Sequence, residues 1–337
     1  MASLLVMNVG RPTIEDVARA AGVSRATVSR VINNEPGASG ALRARVQEAV
    51  AALGYLPNES ARALASGRVR AVDVVAVNYS AIGWLGTHPY YSRVLAGAMS
   101  VVENADVQLR VHAVNQHSGA EEAIDAIAQQ VTVGALLANV TPELAARFHR
   151  RCRRVVSLVA TAPAVPAFEA DNGQGTYAAV EHLHRLGRRR IAAVHGPEGN
   201  TCAIDRREGY RRAVKDLGLE EIGDGGDFLR EDGYAAAQRL LARRPDIDAM
   251  FVACDLMGAG AVQAITASGR TVPRDVSVVG FDDSIAAVCA NPPLSTMRMP
   301  VEEMAAEATR LLLEGTPATG LRRRFPVELI ERASTFR

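Results

Sequence analysis

Hydrophobic positions recur along the chain in two rhythms, and the rhythm changes near residue 69. Before that point the spacing is helical. Thr13 and the acids Glu15 and Asp16 precede a stripe of Val17, Ala18 and Ala21, which predicts a helix capped by Thr13 and ended at Gly22. Ser24 caps a second predicted helix, 25–33, with Val28, Val31 and Ile32 facing inward. A third, about 41–53, runs on Leu42, Val46, Ala49, Val50 and Leu53 and closes at Gly54. Two short helices joined by a Gly-Val-Ser turn and braced by a third make a helix-turn-helix unit, assigned to residues 11–57. Asn58 then caps about two turns of helix-prone sequence, so residues 58–68 read as a hinge helix, too short to be stable alone.

From residue 70 onward short apolar runs alternate with amphipathic stretches. Strands are expected at 72–77, 109–114, 134–138, 155–159, 191–194, 249–253 and 276–280, with helices between them. Repeated β-α units of this length form parallel sheets covered by helices on both faces, and a restart after Asp171 splits the row into two lobes. Ligands of such sheets lie beyond the carboxyl ends of the strands, so a cleft between the lobes is the expected site.

Charge sharpens the division. The 337 residues carry a net +1, yet residues 1–68 hold eight Arg against five acids, a basic head that suits an anionic partner. On the second helix Arg25, Ala26, Ser29, Arg30 and Asn33 form an outer face of small and polar residues. A major-groove helix needs such a face: Arg can pair with guanine in a bidentate fashion, and small residues allow close approach. Without that role the head would be a plain helical bundle.

Other chemistries are poorly served. No apolar run approaches membrane-spanning length, and the brief apolar start lacks the basic region of a signal peptide, with Met7 as a second candidate start. Cys152, Cys202, Cys254 and Cys289 are scattered without a Cys-x-x-Cys pair, which argues for a reducing cytoplasm and against zinc or disulfides. Lys215 is the only lysine, so no Gly-Lys-Ser/Thr phosphate loop exists; nucleophile-elbow and dinucleotide glycine motifs are also missing. His182 and His184 lie two apart on a predicted helix and face different ways, and Asp224-Gly-Gly-Asp227 lacks the further ligands of a calcium loop. The expectation is no catalytic residue, no metal and no cofactor.

The segments TIEDVARAAGVSRATVSRVINN, ALGYLPN and ARALASG, followed by DNGQGTYAAVEHLHRLGRRRIAAVHGP, RREGYRRAV and VPRDVSVVGFDDSIAAVCANPPLSTMRMPVEEM, resemble the lac repressor/galactose repressor (LacI/GalR) family over nearly the whole chain. The resemblance implies that Ser24, Arg25, Ala26, Thr27, Ser29 and Arg30 touch bases and phosphates in the major groove. Thr13, Asn33 and Asn58 would contact the DNA backbone, and Leu64, with Ala61 on the same hinge, would wedge into the minor groove.

The body then resembles a periplasmic sugar-binding protein whose chain crosses between lobes near Ala170, Thr296 and Thr316. That places lobe one at 70–170 and 297–316 and lobe two at 171–296 and 317–337. Arg206 matches a ligand-gripping arginine and Asp282 an acid that accepts hydroxyls, while Asn78, Tyr79 and Tyr90 or Tyr91 offer polar and stacking groups. Cys254 replaces an amide found in most relatives, which counts against an ordinary hexose, and Trp84 sits in a Gly-containing loop as either a lid or a surface anchor.

The implied function is a homodimeric repressor that binds a pseudo-palindromic double-stranded operator and is controlled by a small molecule, a carbohydrate being the family's commonest effector. No leucine heptads follow the last lobe to specify a tetramer. The rival is a cytoplasmic solute-binding module whose head contacts protein, which a steep salt dependence of duplex binding would exclude.

Overall fold

The structure, a computed structural model, describes residues 12–32, 37–55, 69–78, 88–115 and 119–335, with the Asn78 side chain left out. Asn33, Asn58, Ala61, Leu64, Tyr79, Trp84 and the expected hinge at 58–68 lie outside them. Two units meet in sequence at Val69 and Arg70.

In the first unit α1 (Ile14–Ala21), α2 (Arg25–Ile32) and α3 (Gly40–Leu53) pack around Val17, Val28 and Val46, each fully buried. Thr13 and Asp16 form a reciprocal capping box, the Thr13 N–H donating to Asp16 Oδ2 at 2.9 Å, and Gly22 ends α1 at φ 61°. Arg45 of α3 donates to the freed Ala21 carbonyl at 2.6 Å and ties the turn to the third helix. Leu53, expected in this core, is 37% exposed. The chain leaves the helix at Gly54, and Tyr55, now 8% exposed, fills the core in its place.

The second unit holds two six-stranded sheets. The first comprises β1 (Ala71–Asn78), β2 (Gln108–Asn115), β3 (Gly134–Ala138), β4 (Val155–Ser157), β5 (Ala167–Ala170) and β11 (Arg322–Phe325), in the order β11-β5-β4-β3-β1-β2, all parallel. The second comprises β6 (Ile191–His195), β7 (Ile222–Gly225), β8 (Ala249–Val252), β9 (Ser277–Asp282), β10 (Ser295–Arg298) and β12 (Glu328–Ile330), in the order β12-β10-β9-β8-β6-β7. Only β12 runs antiparallel, opposite β10.

Central strands such as β3 and β8 are buried throughout, as expected for sheets covered on both faces. The helices that cover them are α4 (Pro89–Val102), α5 (Ala120–Gln130), α6 (Pro142–Arg151), α7 (Asn172–Arg185), α8 (Thr201–Asp216), α9 (Arg230–Arg243), α10 (Asp255–Ala267), α11 (Ile285–Cys289) and α12 (Val301–Glu314).

The chain passes between sheets at Asp171 and at Met299-Pro300. The third passage departs from the expected position near Thr316. Residues Arg322–Phe325 still belong to the first sheet, paired with Ala167–Ala170, so the chain crosses at Pro326-Val327 and the second-lobe assignment of 317–325 is corrected. A mostly charged strand such as Arg322–Phe325 shows no apolar alternation; it is held by backbone hydrogen bonds to its neighbour and by the Phe325 ring against Phe168, 5.8 Å between centroids.

Candidate functional site

In the head, the Ser24 hydroxyl accepts from the Thr27 N–H at 3.1 Å and is 2.9 Å from the Thr27 hydroxyl, so both residues first serve to cap α2. Val28 and Val31 turn inward, leaving Arg25 and Ala26 exposed and Ser29 and Arg30 half-buried on the outer side. Arg25 reaches back to Glu15 of α1 at 3.2 Å, an exposed pair that positions the guanidinium weakly. The helix therefore offers one basic, low-relief face within a rigid three-helix frame.

In the body, the carboxyl ends of the strands of both sheets converge on a cavity of about 60 Å³. That is several-fold smaller than an ordinary ligand pocket. Tyr91, Arg206, Cys254 and Asp282 all line it; Asn78 ends β1, its side chain undescribed. His88, Tyr90, Asn139, Asn172, Cys202, Phe228 and Met299 join them. Of these seven only Tyr90 is an effector candidate from the sequence.

Arg206 lies in the second turn of α8, a helix that starts at Thr201. Its Nε donates to Asn172 Oδ1 at 2.9 Å, its Nη1 donates to the Ala253 carbonyl, and Nη2 stands 3.6 Å from Asp282 Oδ1. The guanidinium also stacks on the Phe281 ring at 3.7 Å. Arg206 is thus both a ligand donor candidate and the brace of its own pocket.

Asp282 ends β9 at φ 119°, and Asp283 follows at φ 56°, two consecutive side-chain-bearing residues in the left-handed half of backbone space. This bend separates their roles. Asp282 faces the cavity, whereas Asp283 is taken by Arg298 at 2.7 Å and Arg332 at 2.5 Å. Burial pushes the Asp282 carboxyl up to about 6, against the pull of Arg206 and Arg93. Behind it Asp255 is fully buried, accepting from the Ser284 N–H at 2.7 Å and the Thr296 hydroxyl at 2.5 Å; burial first, then the Asp282 charge, raises its pKa. Gly280 makes the room: a Cβ there would collide with Asp255 Oδ1.

Cys254 has a structural reason to be where an amide was expected. Its sulfur accepts from the Met257 N–H at 3.5 Å, capping α10, and donates to the Phe228 carbonyl at 3.8 Å. Burial raises both the Cys254 and Cys202 thiols, so neither is an activated nucleophile. On the facing lobe the His88 Nδ1 accepts from the Tyr90 N–H at 3.2 Å, and burial lowers its pKa to about 4, leaving it neutral. Tyr91 is spent inward, its hydroxyl donating to the Val77 carbonyl at 3.4 Å. Asn200 of the second lobe donates across the cleft to Asn139 of the first.

A carboxylate acceptor, a fixed guanidinium and walls of Tyr90, Phe228 and Met299 suit a polyhydroxylated ligand with apolar faces, bound and left unreacted. Among the described residues no group of three or more His, Cys, Asp or Glu is placed to hold a metal. Asp224, noted for its calcium-loop flavour, is instead held by Arg239 at 2.7 Å and Arg243 at 2.8 Å. Among the described residues no helix is long and apolar enough to cross a membrane.

Family models match residues 13–58 as bacterial regulatory proteins of the lacI family and residues 180–335 as a periplasmic binding protein-like domain. The HTH-type transcriptional regulator CelR of Thermobifida fusca is 36% identical over 313 residues, 90% of this chain and 92% of that protein. The ribose operon repressor of Escherichia coli K12 is 31% identical over 317 residues, covering 89% and 92%. Among solved structures, a CelR–cellobiose complex aligns with TM-score 0.71 at 34% identity over 96% of this chain and 100% of that one. A lac repressor dimer bound to operator and an anti-inducer aligns with TM-score 0.85 at 28% identity over 97% and 100%.

Proposed function

We propose, for a chain that belongs to the lacI family of bacterial regulatory proteins, that it represses transcription from a pseudo-palindromic operator as a homodimer under the control of a carbohydrate. The chain is a DNA-binding transcription regulator and not an enzyme. Residues 11–57 are the DNA-binding head, 58–68 the hinge and 70–337 the effector and dimerisation body.

In this reading Ser24, Arg25, Ala26, Thr27, Ser29 and Arg30 meet the major groove, Thr13, Asn33 and Asn58 meet phosphates, and Ala61 and Leu64 enter the minor groove. The effector lies against Tyr91, Arg206, Cys254 and Asp282, with Asn78 and Tyr79 as further proposed contacts. The observation that carries the reading is the Arg206–Asp282 pair, 3.6 Å apart at the wall of a cavity between two lobes.

Cellobiose is the first effector to test, because the CelR structure that this chain resembles holds it. Support for a homodimer comes from apolar side chains left in water on the body: Met99 on α4, Val111 on edge strand β2, and Ile285 and Val288 on α11. Action on DNA and four unpaired cysteines suit the cytoplasm.

The test selects duplexes from a random pool with the full chain and measures their binding by fluorescence anisotropy across salt concentrations, with and without cellobiose. Enrichment of a two-fold symmetric site, a log–log salt slope of about −0.9 per phosphate contacted, and a shift with cellobiose are expected. A pool that stays random would return the head to protein contact.

A further inference from the structure

The bend at Asp282-Asp283 is strained, and strain of this kind persists only where several neighbours hold it. Within the second lobe, Asp255 holds the Ser284 N–H at 2.7 Å, and Arg298 and Arg332 hold the Asp283 carboxylate. At the crossing, the Met299 N–H donates to the Asp282 carbonyl at 3.3 Å.

A further hold comes from the first lobe. Arg93 of α4 donates from Nη1 to that same Asp282 carbonyl at 2.6 Å and from Nη2 to the Met299 carbonyl at 2.8 Å. Its guanidinium also lies on Glu302 of α12 through two bonds of 2.7 Å. The base of this strut has no slack: α4 and α12 approach so closely that a Cβ on Gly97 would collide with the Glu302 carbonyl. The same helix presents Tyr90 and Tyr91 to the cavity near its start and Met99 to solvent further along.

We infer that Arg93 is a positioning residue that couples the effector aspartate to the first lobe, holding the strained Asp282 carbonyl and passing its displacement to helix Pro89–Val102 when a ligand hydroxyl engages the Asp282 carboxylate. This rests on the reading of the cavity as the effector site. Arg93 touches the aspartate's backbone and not its carboxyl group, so its removal acts on the response to ligand more than on ligand binding.

Arg93→Met, Arg93→Lys and Glu302→Gln are compared with the parent in the full chain. Hydrogen exchange of Asp283, Ser284 and helix Pro89–Val102 is read without ligand. Operator binding is read with and without cellobiose, whose own affinity is measured by calorimetry. Exchange at Asp283 and Ser284 is expected to quicken about tenfold or more in Arg93→Met, with partial recovery in Arg93→Lys and parental rates in Glu302→Gln, which keeps both carbonyl bonds.

The ratio of operator affinities with and without cellobiose, about 5–150-fold for ordinary allosteric coupling, is expected to collapse to within about twofold of unity in Arg93→Met while cellobiose affinity moves less than about threefold. Parental exchange in Arg93→Met, or an equal loss in Glu302→Gln, overturns the assignment, the latter by reducing Arg93 to a helix–helix ion pair. A parent that ignores cellobiose would sink the carbohydrate reading instead, and the ligand-free exchange result then decides Arg93 alone.

Discussion

Replacing Arg206 with Met removes the bonds to Asn172 and Ala253 and the charge beside Asp282 while keeping most of the stem volume against Phe281. Each buried acceptor left without a donor costs about 1–3 kcal/mol, and removing one partner of a buried charge pair costs about 3–5 kcal/mol. Because one side chain makes all these contacts the terms overlap, and a loss of about 3–5 kcal/mol is expected at pH 8.

The charge part depends on Asp282 being ionised. Its pKa is raised, to about 6, so the protonated form favours the fold and its contribution is lost as pH climbs from about 4 through 6. At pH 5 the carboxyl is largely neutral in the parent as well, and the penalty of Arg206→Met should shrink to about 1–3 kcal/mol, the share of the unpaired acceptors. Urea denaturation of both proteins at pH 5 and pH 8 measures the two penalties, and adding Asp282→Asn to the Arg206→Met variant should bring the pH 8 value down to the pH 5 value. A penalty under about 1 kcal/mol at pH 8, or equal penalties at the two pH values, would refute the electrostatic account of this site.

Three further outcomes are expected. Arg30→Ala should weaken the selected operator by about 1–3 kcal/mol and relax one base position in anisotropy competition; an equal loss on random duplex would mean phosphate contact only. Gly97→Ala should destabilise the body by about 1–3 kcal/mol or more in urea, since even a methyl meets the Glu302 backbone. His195 is buried and its pKa is lowered to about 4, chiefly by burial and then by Arg207 and Arg211, so the unfolded chain takes up its proton first. Stability from its neutral ring is complete above pH 6.5 and is lost as pH falls toward 4, by roughly 3 kcal/mol, and His195→Asn should flatten that part of the pH–stability curve relative to the parent.

The amino-acid sequence by itself determined what short-range signals can encode. Thr13 with Asp16, Ser24, Gly22 and Gly54 are capping chemistry, legible within a few residues, and they delimit the head's helices to within a residue or two of the structure. The β-α alternation of the body was equally local, since a buried parallel strand such as Gly134–Ala138 is apolar along its whole length. Arg206, Cys254 and Asp282 were singled out by the resemblance to the LacI/GalR family rather than by any local pattern, and all three line the cavity.

Tertiary structure alone decided the remainder. Arg322–Phe325 joins the first sheet through backbone bonds to Ala167–Ala170, a pairing across some 155 residues that its charged side chains do not announce. Neighbouring Asp282 and Asp283 are chemically identical, and only the positive-φ bend, braced by Asp255, Met299 and Arg93, turns one to the cavity and the other to Arg298 and Arg332. His88, Asn139, Asn172 and Phe228 reach the same cavity from distant loops and helix starts. Local propensity acts within a turn or two of chain, whereas a pocket is assembled by packing that brings together residues far apart in sequence, and burial then sets the charge each one carries.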